Sequence, residues 1–238
     1  MDMELDKGSV ITATNYDSLT EYAYNEIRIR IQNGVFPPGT KLVTQKISDD
    51  LGISRTPVVA AVNRLIAAGL AESAPNHSTV VMPLTKQKIH DILQVRYMIE
   101  EFVIPHAIKN APFCSATLRE MEQVIIESQE IGDDDYDKAS RLDGRFHLLY
   151  VSLSCNEQLK RLYNDNWGVS VTYYMYKAID LPLTQMEHFY ADHREWLKCL
   201  QDRNQKKLEK LVHNHTDGAF DLLDWIFANY PTLNFKKI

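Results

Sequence analysis

Cysteine is scarce. Cys114, Cys155 and Cys199 are the only three among 238 residues, and no two are close in sequence. The count is odd and there is no CxxC pair, so neither a disulfide framework nor a zinc ribbon is indicated. A reducing, cytoplasmic setting is expected. A basic excess is also missing: 26 Lys and Arg stand against 32 Asp and Glu, a formal charge of −6. That excludes a chain coated in cationic residues, but leaves room for a nucleic-acid footprint confined to one helix. No apolar run approaches the length needed to span a bilayer. The opening MDMELDKGSV lacks the basic and apolar regions of a signal peptide, so no membrane partner is expected. There are no internal repeats and no low-complexity segments. What remains is an ordinary globular composition, 45% hydrophobic, with enough chain to bury a core without staples.

Residues 1–16 are polar and unpatterned and read as a flexible N-terminal arm. Leu19, Tyr22, Ile27 and Ile31 then predict a helix from Ser18 to about Asn33, ended by Gly34. PPGT at 37–40 is a turn. QKISDDLG and GISRTPVVAAVNRLIAAGL predict two short helices separated by Gly52, with Thr56 as N-cap and Pro57 as first helical residue of the second. Residues 71–84 have strand-like ends and a polar middle, as a small hairpin does. After Pro83 strand signals vanish. Helices are expected near 86–110, 115–131, 136–153, 156–179, 184–202 and 204–229. The acidic run GDDDYD at 132–137 reads as a solvated loop between two of them. The expected fold is therefore mainly α: a winged helix-turn-helix over 17–84, then an all-α helical bundle over 85–238.

A winged helix-turn-helix presents the N-terminal residues of its second helix to the DNA major groove. Those residues are Ser54, Arg55 and Thr56. Arg55 can reach guanine or phosphate, and the hydroxyls suit phosphate oxygens. Residues 17–84 hold six basic and six acidic side chains, yet Ser54–Leu70 carries Arg55 and Arg64 with no acid. Spacing alone leaves a second reading open, a small helical interaction domain.

The segments NGVFPPGTKL, LGISRTPV and NRLIAAGL resemble the DNA-binding domain of the GntR family of bacterial transcription regulators. That family places a G-x-x-x-P-G-x-x-L turn before the helix-turn-helix and S-R-T-P-V at the recognition helix. The resemblance implies operator contacts from Arg55 and Thr56, joined by Ser54, Gln45 and His77. There are departures. Val59 and Ala60 stand where Arg-Glu is usual, Gln45 stands where many members have a charged residue, and Ser78 follows His77 where the wing usually has Gly.

In the second half, RLDGRFHLLY places Asp143 and His147 one helical turn apart beside the stripe Leu142, Phe146, Leu149 and Leu153. His193 aligns with Phe189, Trp196 and Leu200, and His215 with Leu208, Leu211, Ala219 and Leu222, so both face inward. His213 projects to another side. A single inward histidine is usually a hydrogen-bonded core residue. Three of them with a carboxylate are costly to bury without a partner. A divalent transition metal would satisfy all four, and the donor set suits Zn, Ni, Mn or Fe.

This half is similar to the FCD ligand-binding domain of FadR-type GntR regulators. Its metal-containing members carry D-x-x-x-H, a His in an E/D-H-R segment, and another His about 22 positions on. Here these fall on Asp143, His147, His193 in DHRE, and His215. The resemblance implies a metal at the floor of a pocket that binds a small carboxylate effector. It also implies an effector-binding Arg, which falls on Arg96 in VRYMIEE. The competing reading of Arg96 is an ion pair with Glu100, four residues on.

The expected function is a one-component repressor, a homodimer on double-stranded operator DNA, controlled by a small organic or sugar acid. Two alternatives are a metal-dependent enzyme using the same Asp and His residues, and a helical interaction protein with structural histidines. The enzyme reading lacks a paired general base and leaves the helix-turn-helix unexplained, so the chain is not expected to be an enzyme.

Overall fold

A computed structural model describes residues 13–32, 34–74, 78–132, 134–166, 177, 179–180 and 187–230. The first helix, α1 (Ala13–Gln32), begins upstream of the expected Ser18, inside the segment read as an arm. It packs on α3 (Arg55–Ala67), which follows α2 (Thr44–Leu51). Ser54, not Thr56, takes the N-cap position of α3, so Pro57 is its third residue. Proline is tolerated there because the N–H groups of a first turn have no intrahelical partner. Gly52 caps α2 in the left-handed region at φ 66°. A Cβ at Gly52 would meet nothing within 4 Å. Gly52→Ala should therefore cost about 1 kcal/mol through backbone conformation alone, read as a lower urea midpoint with unchanged slope.

The wing is an antiparallel hairpin of β1 (Ala71–Ala74) and β2 (Ser78–Val81), in register from Ala71 opposite Val81 to Ala74 opposite Ser78. Its tip, with His77, lies outside the described residues. The chain at 39–42 joins as a third edge: Leu42 N donates to Thr79 O at 2.8 Å and Val81 N to Thr40 O at 2.8 Å.

Among its described residues the second half consists of helices joined by short turns, with no strand. It runs α4 (Lys86–Asn110), a 3-10 turn at Ala111–Phe113, α5 (Ser115–Ser128), α6 (Tyr136–Ser152), α7 (Glu157–Asn166), α8 (Glu187–Gln201) and α9 (Gln205–Asn229). The expected helix over 156–179 is seen as α7; residues 167–176 and 178, with the aromatics of VTYYMYKAI, lie outside the described residues. Side-chain caps start α4, α6 and α9: Thr85, Asp135 and Asn204 accept from Lys88 N, Lys138 N and Lys207 N. The acidic run thus contributes a helix start through Asp135.

One apolar core fills the bundle, with Trp196, Tyr150, Tyr163 and Phe146 among its largest fully buried side chains. The other does not stop at the expected boundary near residue 84. It joins Ile27, Ile31, Val58 and Leu65 of the winged unit to Ile89 and Leu93 of α4 and Leu223 and Ile226 of α9. The winged unit therefore rests on the ends of the two longest bundle helices.

Candidate metal and effector site and nucleic-acid face

Four bundle helices converge on one buried point. α6 supplies Asp143 and His147, α8 His193, α9 His215 and α4 Arg96, all buried. One donor atom from each of Asp143, His147, His193 and His215 can be chosen so that all lie within 4.8 Å of one another. His147 Nε2 is 3.1 Å from His193 Nε2. Asp143 Oδ1 lies 3.5 Å from each of those nitrogens. Donors bound about 2.1 Å from one ion stand roughly 3.0–3.4 Å apart, so the arrangement fits a metal. His213, by contrast, is exposed and lies 3.1 Å from Glu101 Oε1.

Arg96 donates from Nε to Glu100 Oε1 at 2.8 Å, the ion pair weighed from the sequence. Its Nη2 also reaches His147 Nε2 at 2.6 Å and His215 Nε2 at 3.3 Å. A guanidinium has only donors, so His147 accepts at Nε2 and carries its proton on Nδ1. That nitrogen faces Glu100 Oε1 at 3.0 Å. A carboxylate behind Nδ1 with Nε2 turned inward is the outer-shell arrangement that orients a metal-binding histidine. Tyr163 of α7 donates to the same Glu100 oxygen at 2.6 Å.

Sequence reasoning saw Glu100 only as a partner for Arg96 and missed Tyr163 and Asp192, whose Oδ2 is 3.5 Å from His215 Nδ1. Asp192 adjoins His193 in DHRE, which is a usable signal. Tyr163 gives none. Aromatic packing completes the floor: the His193 ring stacks on Phe146 with centroids 4.0 Å apart, and Trp196 meets His147 edge-on at 5.3 Å.

The charges are strongly coupled. Burial would raise both carboxyls; for Glu100 the Arg96 guanidinium outweighs it, and for Asp143 His147 does, so both sit well below the usual carboxylate range. Burial lowers His193 far below the ordinary imidazole value and also lowers His215. For His147, burial and Arg96 oppose a proton but Glu100 and Asp143 outweigh them, so its pKa rises. Two histidines held neutral beside ionised Asp143 make a donor set ready for a cation.

On the winged unit, Ser54, Arg55 and Thr56 are exposed at the start of α3. Arg55 Nε donates to Thr44 Oγ1 at 3.0 Å, and exposed Gln45 donates to Asp49 at 2.8 Å. Arg55 shares a groove with Lys41, Thr44, Asn63 and Thr79, which the sequence reading did not single out. Val59, where the family usually has Arg, lines this groove and is 38% exposed. The groove thus carries an apolar side chain where a charged one is usual. Arg55→Ala should weaken DNA binding by about 1–3 kcal/mol, roughly fivefold to 150-fold. Metal content should not change; fluorescence anisotropy on DNA selected from a random pool, with metal analysis in parallel, checks both.

Comparison with known proteins agrees with both halves. Residues 19–81 match the gntR family of bacterial regulatory proteins, and residues 91–218, more than half the chain, match the FCD domain. The HTH-type transcriptional regulator McbR of Escherichia coli (strain K12) is 28% identical over 180 residues, 74% of this chain and 80% of that protein. The gluconate operon transcriptional repressor of Bacillus subtilis (strain 168) is 22% identical over 213 residues, 87% of this chain and 86% of that one. The solved structure of E. coli McbR/YncC superposes with a TM-score of 0.77 at 21% identity, covering 88% of this chain and 98% of that one. A GntR transcriptional regulator from Rhodococcus sp. RHA1 gives 0.72 at 20% identity, covering 90% and 99%. With a helix-turn-helix and wing in front and an FCD domain behind, this chain belongs to the GntR family of bacterial regulatory proteins, and it is a transcription regulator, not an enzyme.

Proposed function

We propose that this regulator is a cytoplasmic repressor that binds operator DNA as a homodimer and is controlled by a small carboxylate or sugar acid held at a divalent metal in the FCD domain. The observation that carries the reading is the buried group Asp143, His147, His193 and His215 with Arg96 against two of its nitrogens. The four side chains would hold Zn, Ni, Mn or Fe, and the ion would supply a Lewis-acidic anchor for a carboxylate. Arg96 keeps its place through Glu100 at Nε; an ion that took the Nε2 lone pairs of His147 and His215 would displace Nη2 from them and turn it toward the anion. The sugar-acid class is supported by the relative that represses a gluconate operon.

In this reading Arg55 and Thr56 carry DNA binding, together with Ser54, Gln45 and His77. The homodimer is supported by an apolar stripe on α4, where Val95, Met98 and Phe102 are 41%, 67% and 57% exposed. Such a stripe marks an interaction face. Among the described residues, no helix is long and apolar enough to cross a membrane.

The test is a thermal-shift screen of small carboxylic and sugar acids on zinc-loaded protein, repeated after chelation. One acid should stabilise the loaded protein and lose that effect with EDTA. An acid that stabilises equally after chelation would separate effector from metal and defeat the reading.

A further inference from the structure

The last turn of α7 reads Tyr163-Asn164-Asp165-Asn166, and its four consecutive side chains each tie to another element. Tyr163 donates to Glu100 Oε1 at 2.6 Å, at the wall of the metal and effector site. Asn166 Nδ2 donates to the carbonyl of Ile92 at 3.0 Å, one turn before Arg96 on α4. The middle two face the other way. Asn164 Oδ1 accepts from Arg28 Nη1 at 2.7 Å, and Asp165 Oδ1 accepts from Tyr24 OH at 3.1 Å; both partners lie on α1 of the winged unit. Tyr24 is buried, and the Arg64 guanidinium of α3 sits 4.3 Å from its ring centre. Arg64 also pairs with Glu21 of α1 at 2.7 Å. Arg55, at the other end of α3, is therefore one rigid helix away from α1.

We infer that Tyr163–Asn166 is the coupling element of this regulator: Tyr163 and Glu100 are positioning residues that register what occupies the site, and Asn164 and Asp165 pass that register to α1 and the recognition helix. The inference rests on the reading of the buried cluster as a metal and effector site. Three observations support it beyond proximity. Glu100 Oε1 collects Arg96 Nε, His147 Nδ1 and Tyr163 OH, so a shift of Glu100 that follows Arg96 or His147 reaches Tyr163 directly. A single helical turn cannot move Tyr163 without moving its neighbours, because the turn is held by its own backbone hydrogen bonds. Burial, and then Asp165, raise the Tyr24 phenol to about 12, so its hydroxyl stays a donor to Asp165 throughout the physiological range. Site and head are thereby joined through a packed element with defined partners on both sides.

The experiment is amide hydrogen exchange on the full chain, stripped with EDTA and then loaded with zinc alone, with zinc content measured in parallel. Zinc should slow exchange in α6 around Asp143 and His147. In the same sample it should slow α1 by about twofold to thirtyfold, the range that such couplings span. In Asn164→Ala/Asp165→Ala the zinc content and the α6 response should persist while the α1 response disappears. Tyr24→Phe, which keeps the ring under Arg64 and removes only the hydroxyl, should weaken the α1 response without unfolding the head. An α1 response of full size in the double variant overturns the coupling element. So does a wild-type α1 that ignores zinc while α6 responds. Failure of zinc to bind wild-type protein instead overturns the metal reading, and the inference with it.

Discussion

A His147→Ala/His193→Ala variant is expected to retain no metal after zinc loading and to melt about 10 °C below the loaded wild-type protein. An ion that binds only the native state at roughly 1,000 times its Kd contributes about 4 kcal/mol. For a chain of this size each kcal/mol moves the melting temperature by roughly 2–4 °C. Both rings are buried and packed on Phe146 and Trp196, so truncation adds a cavity cost of its own. The two contributions separate by chelation. EDTA should lower the wild-type melting temperature and leave the double variant unmoved. A variant that still binds one zinc per chain would mean that Asp143, His147, His193 and His215 are not the metal ligands.

The second large effect concerns Glu100. It is fully buried, and its Oε1 receives Arg96, Tyr163 and His147 together. Glu100→Leu leaves the Arg96 guanidinium buried without its carboxylate and should destabilise the metal-free protein by about 3–5 kcal/mol, measured by urea unfolding. Arg96→Met/Glu100→Leu should recover much of that loss, since replacing both ions with apolar groups removes two desolvation costs at once. A Glu100→Leu loss no larger than an exposed ion pair gives, about 1 kcal/mol or less, would show that the pair is not isolated from water. The pH dependence has a definite sign. The carboxyls of Glu100 and Asp143 are held below their unfolded values by Arg96 and His147 against the opposing effect of burial. Their contribution is therefore present above about pH 4, where unfolded Asp and Glu titrate. It is lost as the pH falls from there toward the folded values. Metal-free wild-type protein should lose stability steeply on acidification below pH 4, and Glu100→Leu less so.

How much of this was legible in the chain depends on the range of each interaction. Asp143 and His147 could be paired from the sequence because four residues make one helical turn. His193 and His215 could be turned inward because each falls in line with apolar residues on its own helix. Arg96 and Glu100 follow the same rule, and the structure shows their pair at 2.8 Å. The winged helix-turn-helix was legible from local signals too: Gly52 at a left-handed cap, a proline in a first turn, and a hairpin framed by strand-like residues. Local chemistry faltered at two helix starts. Thr56 is a good N-cap type, but α3 starts two residues earlier, with Ser54 at the N-cap position and no side-chain capping hydrogen bond. Asp135, inside a run read as solvated loop, caps α6.

Helical periodicity, capping and turn chemistry act within one or two turns of chain, so the two-part, mainly helical architecture and the four inward-facing metal candidates can be read from the residues in order. Only the folded chain shows that the four candidates share one point, that Glu100 stands behind His147, and that Tyr163 reaches it across 63 positions of sequence. It also shows that the winged unit shares its core with α4 and α9 and is tied to α7 through Arg28 and Tyr24. Those pairings depend on how whole helices cross, which is fixed by packing their apolar faces together and leaves no periodic trace in any one helix.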